Sequence, residues 1–158
     1  MKIFVTTFIY LYKAVVIKFS WLMNRQHTRE EYIKLVENIF QIIPDCSISH
    51  DMISGFPNES EQDHKDTLSL MEKVKYSFGY MFKYSERPGT LAAKKLEDNI
   101  DEETKSRRLS EIVELQQKHS LYRSKEFVGK TVEVLIEKES KKSNLLLGRK
   151  KSTKPLQL

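Results

Sequence analysis

The 158-residue sequence predicts an α/β fold, and three observations support this class. Apolar residues recur at helical spacing in three segments between residues 28 and 124. Two β-rich segments alternate with these helices, which is the order of parallel βαβ units. After residue 129, apolar and acidic residues alternate, as they do in a half-buried strand. The predicted order is therefore helix, strand, helix, strand, long helix and a final pair of strands.

The first helix–strand unit has distinct start and stop signals. Thr28 and Glu31 form a capping box where the helix begins, and Pro44 ends it. The predicted apolar positions of this helix are Ile33, Val36, Ile39, Phe40 and Ile43. A strand over 47–53 follows and breaks at Gly55-Phe56-Pro57.

The second unit repeats this arrangement. Ser60 and Asp63 begin the helix, and one face of it carries Thr67, Leu68, Met71 and Val74. A strand over 76–84 follows, and Arg87-Pro88-Gly89 ends it. Short connections between the two units favour a parallel pair of strands.

A long helix is predicted from the acidic stretch at 97–103 to about Ser124, because acidic residues stabilise a helix N-terminus. Its predicted apolar side consists of Leu109, Ile112, Val113 and Leu115. A half-buried strand follows, in which Val132, Val134 and Ile136 alternate with Glu133, Leu135 and Glu137. Residues 145–148 are the predicted hairpin partner, so two strands are expected in this C-terminal part.

Composition excludes several classes of protein. With 39% hydrophobic and 31% charged residues, the chain is too apolar for a disordered protein. Cys46 is the one cysteine, which excludes an internal disulfide framework, a cysteine-only metal site and an iron–sulfur cluster bound by this chain's own thiolates. We expect its thiol to be buried. This cysteine usage fits a reducing, cytoplasmic setting.

The histidines indicate no self-contained zinc site, because none of the four has H-x-x-x-H spacing or a cysteine nearby. His50 and Asp51, at the end of a predicted strand, allow two interpretations, an acid–base pair or an ordinary strand terminus. The sequence contains no glycine-rich phosphate loop and no serine nucleophile motif.

Positive charge is concentrated near the C-terminus. From Lys118 to Leu158 there are eleven Lys and Arg against four Glu, whereas the whole chain has a net charge of +5. A basic segment on a near-neutral body is typical of a protein that binds nucleic acid. A solvated lysine-rich tail explains the same charge equally well.

The first 22 residues differ from the rest of the chain. From Ile3 to Leu22, 15 of 20 residues are apolar or aromatic, but Lys13 and Lys18 interrupt the run. A membrane helix needs roughly 18 apolar residues with few charges, and no signal-peptide cleavage site follows. A membrane anchor would thus be poorly formed here. A membrane-anchored basic protein is nevertheless a second alternative interpretation.

A ten-residue run, Met81-Phe82-Lys83-Tyr84-Ser85-Glu86-Arg87-Pro88-Gly89-Thr90, is the most specific motif of the sequence. Further motifs are Met23-Asn24-Arg25, Ile43-Pro44-Asp45-Cys46, Gly55-Phe56-Pro57, Ser106-Arg107-Arg108-Leu109 and Val128-Gly129-Lys130-Thr131. In this order they closely resemble the radical-SAM tRNA methylthiotransferases of the MiaB type. The likeness covers about residues 23–149.

The resemblance implies an enzyme that adds a methylthio group to isopentenyladenosine beside the tRNA anticodon, using two [4Fe-4S] clusters and S-adenosyl-L-methionine. It implies an apolar, out-of-frame N-terminus at 1–22, the C-terminal part of a radical-SAM (β/α) barrel with its long helix at 23–125, and a truncated TRAM β-barrel at 126–158. Because the family's cluster cysteines lie upstream, we expect this chain alone to bind no cofactor and to be inactive. No catalytic and no metal-binding residue is predicted in it.

The resemblance also implies two sets of binding residues. In the family's barrel, Arg25 resembles the arginine that pairs with the carboxylate of S-adenosyl-L-methionine, for which a guanidinium fork is suited. Strand ends near the adenosyl group match Ile53, Gly55, Phe82, Tyr84 and Ser85, with glycine permitting close backbone approach. Turn chemistry explains Gly55-Phe56-Pro57 equally well. The family has Gly-Glu-Thr next, and we expect the departure, Asn58-Glu59-Ser60, to alter the turn.

The implied partner is tRNA, with no DNA and no membrane. The candidate phosphate contacts are Lys130, Lys141, Lys142, Arg149, Lys150 and Lys151. We expect a monomer or an aggregate in isolation, because two parallel strands would have lost the neighbours that close a barrel. The alternative function is a small basic RNA-binding module without enzymatic activity.

The N-terminal segment resembles the family only in another reading frame. Shifted by one base, the degenerate code for 1–20 permits a segment containing I-H-L-P-V-Q-S-G, which the family has just upstream of M-N-R. We therefore expect a one-base shift near 20–22. A similar shift at 154–158 permits T-V-A-V, on a shorter match.

Overall fold

The computed structural model describes residues 9–13, 27–139, 146–150 and 155–157, and side chains from 27 to 137. Within these ranges the helices are α1 (Arg29–Ile42), α2 (Glu61–Val74), α3 (Leu91–Lys95) and α4 (Glu102–Lys125). The strands are β1 (Ile9–Lys13), β2 (Ile48–Ser54), β3 (Phe78–Lys83), β4 (Val134–Glu139), β5 (Leu146–Lys150) and β6 (Pro155–Gln157). The predicted α/β class is confirmed.

The first sheet has the strand order β1-β2-β3 with both pairs parallel. β2 and β3 are in register from Ser49 opposite Phe78 to Ser54 opposite Lys83. Ile9 of β1 lies opposite Ile48, so the edge of β2 that we expected to be open is paired, and that expectation was wrong. Backbone N–H and C=O groups form a ladder whichever side chains the strand carries, which is why this segment can pair.

Local sequence signals account for the helix boundaries. Thr28 accepts a hydrogen bond from the Glu31 N–H (3.2 Å), and the Thr28 N–H donates to the Glu31 carboxylate (2.7 Å). Ser60 and Asp63 form the second capping box, so both predicted starts are confirmed. α1 ends before Pro44, as predicted. The short helix α3, which follows Thr90, was not predicted.

The core lies between the helices and one face of the first sheet. Its buried members are Tyr32, Val36, Ile48, Met52, Met71, Val74, Tyr76 and Ile112. The predicted face of α2 is confirmed, since Thr67, Met71 and Val74 are buried and Leu68 packs against the core. Cys46 packs against the same cluster but is only partly buried, and this burial raises the pKa of its thiol.

The predicted apolar side of α4 is confirmed only in part, since Leu115 packs against the core beside Ile112. Of Leu109, Ile112, Val113 and Leu115, only Ile112 is buried, at 1% exposure. The buried face instead carries Lys105, Arg108, Ile112, Gln116 and His119. Polar side chains turn inward here because each can reach a hydrogen-bonding partner. Arg108 and Gln116 reach the Glu59 and Tyr76 carbonyls in the loops of the sheet. Lys105 reaches Asp98 and Glu102, and His119 reaches Glu72 on α2.

The second sheet is antiparallel, with the order β4-β5-β6. The predicted hairpin is confirmed, but the expectation of only two strands was wrong, because Pro155–Gln157 pairs with β5. Val132 precedes the strand, and Leu135 and Ile136 are 69% and 48% exposed. The prediction of a half-buried strand was thus wrong for the described side chains of β4, because Val134 is half-buried but Leu135, Ile136 and Glu137 are exposed. No helix in the described part of the chain is long and apolar enough to cross a membrane.

Candidate functional site

The carboxyl ends of β2 and β3 lie at one edge of the first sheet, because the two strands are parallel. The loop from Gly55 to Glu59 follows β2 at this edge, and Tyr84 and Ser85 follow β3. In α/β folds, ligands bind at the carboxyl ends of parallel strands. This edge is therefore the candidate functional site.

The two faces of the sheet differ at this edge. Side chains alternate along a strand, so β2 directs Ile48, His50, Met52 and Ser54 to the helix-covered face, where all four are buried. On the opposite face Ile53 lies in register with Phe82. Phe82 is 57% exposed, and Tyr80 on the same face is 54% exposed. The site thus has a dry side under the helices and an open aromatic side.

Two aromatic rings close the end of the sheet. Phe56 and Tyr84 pack edge to face with ring centroids 5.2 Å apart, and Ile53 packs against the pair. The Tyr84 N–H donates to the Ser54 carbonyl (2.8 Å), which extends the parallel ladder by one residue. Burial raises the pKa of the Tyr84 hydroxyl.

Gly55 is required by its own conformation and by α4. Its φ is +73°, in the left-handed region that favours glycine. A Cβ at this position would lie 2.3 Å from Cγ of Lys105. The Lys105 side chain thus fills the space on the side of Gly55 where a Cβ would stand, and the approach of a cofactor to this glycine stays a prediction.

Asn58 allows the loop to tolerate the departure from the family's Gly-Glu-Thr. It adopts φ +65°, a region that glycine favours and Asn tolerates. The Asn58 N–H donates to Asn99 (2.9 Å), and the Asn99 amide donates back to the Asn58 side chain (2.9 Å). Asn58 therefore holds a left-handed position in a turn that Asn99 closes, and the expectation that the departure alters the turn stays a prediction.

Charged side chains surround the buried side of the loop. Glu59 is 6% exposed and Arg108 is 4% exposed, and they form an ion pair at 3.2 Å. Burial raises the pKa of Glu59, even though the Gly55 N–H and Arg108 act in the opposite direction. Burial alone would lower the pKa of Lys105. The hydrogen bonds with Asp98 and Glu102 outweigh burial, so the pKa of Lys105 is raised. Glu59 was named from the sequence only as part of the departure Asn58-Glu59-Ser60, and Lys105 was not singled out, because polar residues at helical spacing resemble an exposed face.

His50 lies within β2 rather than at the end of a strand, so the interpretation as a strand terminus was wrong. Its Nε2 is 2.8 Å from Oε1 of Gln116, whose amide donates to the Tyr76 carbonyl (3.0 Å). Desolvation lowers the pKa of His50 to about 4. An acid–base pair with Asp51 is thus excluded, because the imidazole is buried on the helix-covered face and Asp51 lies on the other. In the described ranges, no three His, Cys, Asp or Glu side chains group as metal ligands.

Of the predicted cofactor residues, the structure brings Ile53, Gly55, Phe82 and Tyr84 to one sheet edge, with Ser85 exposed beside them. Ile53 and Phe82 reach the open face, whereas Gly55 and Tyr84 are buried behind it. Arg25 lies outside the described residues. Sequence reasoning missed the partners on α4, Lys105 and Arg108, although Arg108 stood in a quoted motif.

Of the predicted phosphate contacts, one side chain is described. Lys130 is exposed, and its Nζ lies 5.8 Å from the centroid of the Phe127 ring. Arg149 and Lys150 are in β5, opposite Leu135 and Val134, without described side chains. Lys141, Lys142 and Lys151 lie outside the described residues.

No family model matches the chain, but curated proteins are similar to it. It is 69% identical over 121 residues, 77% of its length, to the tRNA-2-methylthio-N(6)-dimethylallyladenosine synthase of Flavobacterium johnsoniae. Identity is 70% over 122 residues to the synthase of that name from Christiangramia forsetii, and 53% over 129 residues, 81% of the chain, to that of Bacteroides fragilis. The chain covers 25%, 25% and 28% of these relatives, about a quarter of their length.

Proposed function

The chain belongs to the tRNA-2-methylthio-N(6)-dimethylallyladenosine synthase family, and from this premise we propose that it is part of a tRNA methylthiotransferase. The intact enzyme would convert isopentenyladenosine beside the tRNA anticodon to its 2-methylthio derivative, in the cytoplasm. The observation that carries the proposal is 69–70% identity over 121–122 residues. The alternative, an RNA-binding module without activity, has no support among these relatives.

The proposed domains follow the change of sheet type along the chain. Residues 23–125 would form the C-terminal part of a radical-SAM (β/α) barrel, which the parallel β2-α2-β3 unit supports. Residues 126–158 would form a truncated TRAM domain, which the antiparallel β4-β5-β6 sheet supports. Residues 1–22 would be translated out of frame. The pairing of Ile9–Lys13 with β2 agrees with this proposal, because a backbone ladder forms whichever side chains a strand carries.

Ile53 and Phe82 fit the adenine ring of S-adenosyl-L-methionine. They lie in register on the open face, where apolar surface is available to a flat ring. Gly55 and Tyr84 would shape this surface from behind rather than contact the cofactor, because Lys105 and Phe56 already cover them. When bound, the cofactor supplies the radical chemistry of the intact enzyme. This chain's own contribution would be to bind and orient the adenosyl group.

The residues of this chain do not fit a [4Fe-4S] cluster. Such clusters need three or four thiolates, and Cys46 is the one thiol of the sequence, partly buried against the core. We therefore assign no step of the reaction to this chain through a cluster. Anaerobic reconstitution of the full chain with iron and sulfide should leave it colourless, whereas a stable brown species would contradict this part of the proposal.

We propose tRNA as the macromolecular partner, bound through phosphate contacts of the C-terminal part, including Lys130. Affinity for bulk tRNA should fall steeply as salt rises from about 50 to 200 mM, because counterions displaced from phosphates return. Lys130→Gln should reduce the slope of log affinity against log salt by about 1. Lys65→Gln on the exposed side of α2 is the matched control. A binding constant that does not respond to salt would contradict the proposal.

A hybrid enzyme tests the proposed function directly. Residues 23–149 would replace the corresponding segment of the Flavobacterium johnsoniae synthase, and 2-methylthio adenosine would be measured in tRNA by mass spectrometry. We expect the hybrid to modify tRNA, and the hybrid carrying Phe82→Ala to do so with a raised KM for S-adenosyl-L-methionine. A folded, cluster-loaded hybrid that leaves tRNA unmodified would overturn the proposal.

A further inference from the structure

The loop after β2 is closed by its own glutamate. The Gly55 N–H donates to Oε2 of Glu59 at 2.6 Å, and the Glu59 N–H donates to the Phe56 carbonyl at 2.9 Å. Phe56 and Pro57 between them are buried. The conformation of the loop therefore depends on where the Glu59 carboxylate is held.

A buried carboxylate is stable only if it is paired and hydrogen-bonded. Arg108 provides this from α4, donating through Nη1 to the Glu59 carbonyl (2.9 Å) and to its Oε2 (3.2 Å). Its Nη2 donates to Glu61 at 3.2 Å. One guanidinium thus fixes both the backbone and the side chain of the residue that closes the loop.

Lys105, one turn earlier on α4, contacts the other end of the loop. Its side chain is 3% exposed, and its aliphatic part occupies the space beside the Gly55 Cα. Its Nζ donates to Asp98 (2.6 Å) and Glu102 (3.2 Å) and lies 5.8 Å from the centroid of the Tyr84 ring. Two residues of one helix therefore contact both ends of the Gly55–Glu59 loop.

We propose that Arg108 is a positioning residue for the adenosyl site, with Lys105 as its second contact: α4 fixes the Gly55–Glu59 loop and thereby the Ile53 surface that faces the cofactor. This inference rests on the proposed cofactor site. It gives the long helix a role in the reaction without contact to substrate. Loss of Arg108 would move the loop while leaving the strands themselves paired.

The test uses the full chain and the amide signal of Gly55, which reports the state of the Glu59 carboxylate through their hydrogen bond. The groups that face this carboxylate are Arg108 on α4 and His64 and Glu61 on α2. Because the guanidinium favours the ionised form, Arg108→Gln should shift the pH midpoint of the Gly55 signal upward by about one unit or more. Arg107→Gln is the matched control, since Arg107 also contacts Glu61 but donates no hydrogen bond to Glu59.

The hybrid enzyme that carries residues 23–149 then measures the consequence for S-adenosyl-L-methionine, because we expect the chain alone to bind no cofactor. In this hybrid, Arg108→Gln should weaken the binding of S-adenosyl-L-methionine about tenfold, the low end of what loss of an outer-shell partner costs at metal sites. Arg108→Lys restores the charge but not the forked contact. It should return the Gly55 midpoint toward wild type and recover only part of the affinity.

The outcomes separate the two proposals. An unchanged Gly55 midpoint in Arg108→Gln, or full affinity for S-adenosyl-L-methionine in that variant, overturns the positioning role. Should Arg108→Gln unfold, Arg108→Lys decides, and wild-type affinity in it overturns the role as well. A hybrid in which Phe82→Ala leaves the binding of S-adenosyl-L-methionine unchanged instead contradicts the cofactor site itself, and the positioning role with it.

Discussion

The two sheets of this chain differ in what covers them. In the first sheet, Ile48 and Met52 of β2 are 1% exposed beneath the helices, and polar side chains from α4 bind the backbone around the strands. In the second sheet, Leu135 and Ile136 of β4 are 69% and 48% exposed. Both sheets have backbone ladders between their strands, with one register shift in each, between Tyr10 and Lys13 in β1 and between Ile136 and Lys138 in β4. Pairing of strands alone therefore does not make a core. The first sheet is buried because helices pack against one of its faces.

Polar contacts from α4 are the second part of this difference. Gln116 donates to the Tyr76 carbonyl, Ser120 to the Ser77 carbonyl (3.0 Å), and Arg123 to the Lys75 carbonyl (2.7 Å). These carbonyls belong to three consecutive residues before β3, where the Ser77 N–H donates to the Ile48 carbonyl of β2 (2.9 Å). The helix thus satisfies buried backbone groups that the sheet leaves open.

The largest loss of stability is expected from a substitution in the core beneath the first sheet, compared with one on the second sheet. Met71→Ala removes a side chain with 0% exposure and should lower the free energy of unfolding by about 2–5 kcal/mol, since it leaves a cavity. Leu135→Ala on β4 should change it by less than about 0.5 kcal/mol. Urea denaturation of both variants measures the difference. Equal losses would mean that the second sheet is as well packed as the first.

Acid should destabilise the first sheet through His50. The folded state keeps this imidazole neutral down to about pH 4, whereas the unfolded chain takes up the proton near the ordinary value of 6.5. The free energy of unfolding should therefore fall by about 3 kcal/mol as pH drops from 6.5 to 4. Denaturation at several pH values measures this.

The control for this dependence is His50→Gln, which cannot titrate and should flatten that part of the curve. His27→Gln, outside the sheet, should retain the wild-type slope. A curve for His50→Gln that is as steep as the wild-type curve would show that another group is responsible. Gly79 explains why the imidazole fits at all, because a Cβ there would lie 2.3 Å from the His50 ring.

A smaller effect is expected at the loop after β2. Gly55→Ala should cost about 1–3 kcal/mol from backbone strain, with a further cost because the new Cβ meets the Lys105 side chain. Gly89→Ala is the matched control, with φ +86° but nothing within 4 Å of the added Cβ. Thermal denaturation should show the larger loss for Gly55→Ala. A larger loss for Gly89→Ala would contradict the packing of Lys105 on the loop.

Sequence signals predicted the elements that depend on local chemistry. Capping boxes at Thr28 and Ser60 and the stop at Pro44 fix helix ends through contacts within a few residues, so they are visible in the sequence. The parallel order of β2 and β3 followed from the helix between them. The edge that brings Ile53 and Phe82 together followed from that parallel order.

The buried face of α4 was not predictable in this way. Periodicity arguments count apolar residues, and Arg108 and Gln116 are polar. Their burial depends on acceptors 49 and 40 residues earlier in the chain, the Glu59 and Tyr76 carbonyls. The pairing of β1 and the third strand β6 were missed for a related reason, because backbone ladders need no side-chain pattern.

Polar side chains of α4 hold the first sheet in place, and one pair of variants tests this role. Gln116→Leu is close to the wild type in size but leaves the Tyr76 carbonyl and His50 Nε2 without their partners. The free energy of unfolding, measured by urea denaturation, should fall by about 1–3 kcal/mol. Gln117→Leu, on the neighbouring exposed position, should leave it nearly unchanged. Stability that is equal in the two variants, or higher in Gln116→Leu than in the wild type, would contradict the claim.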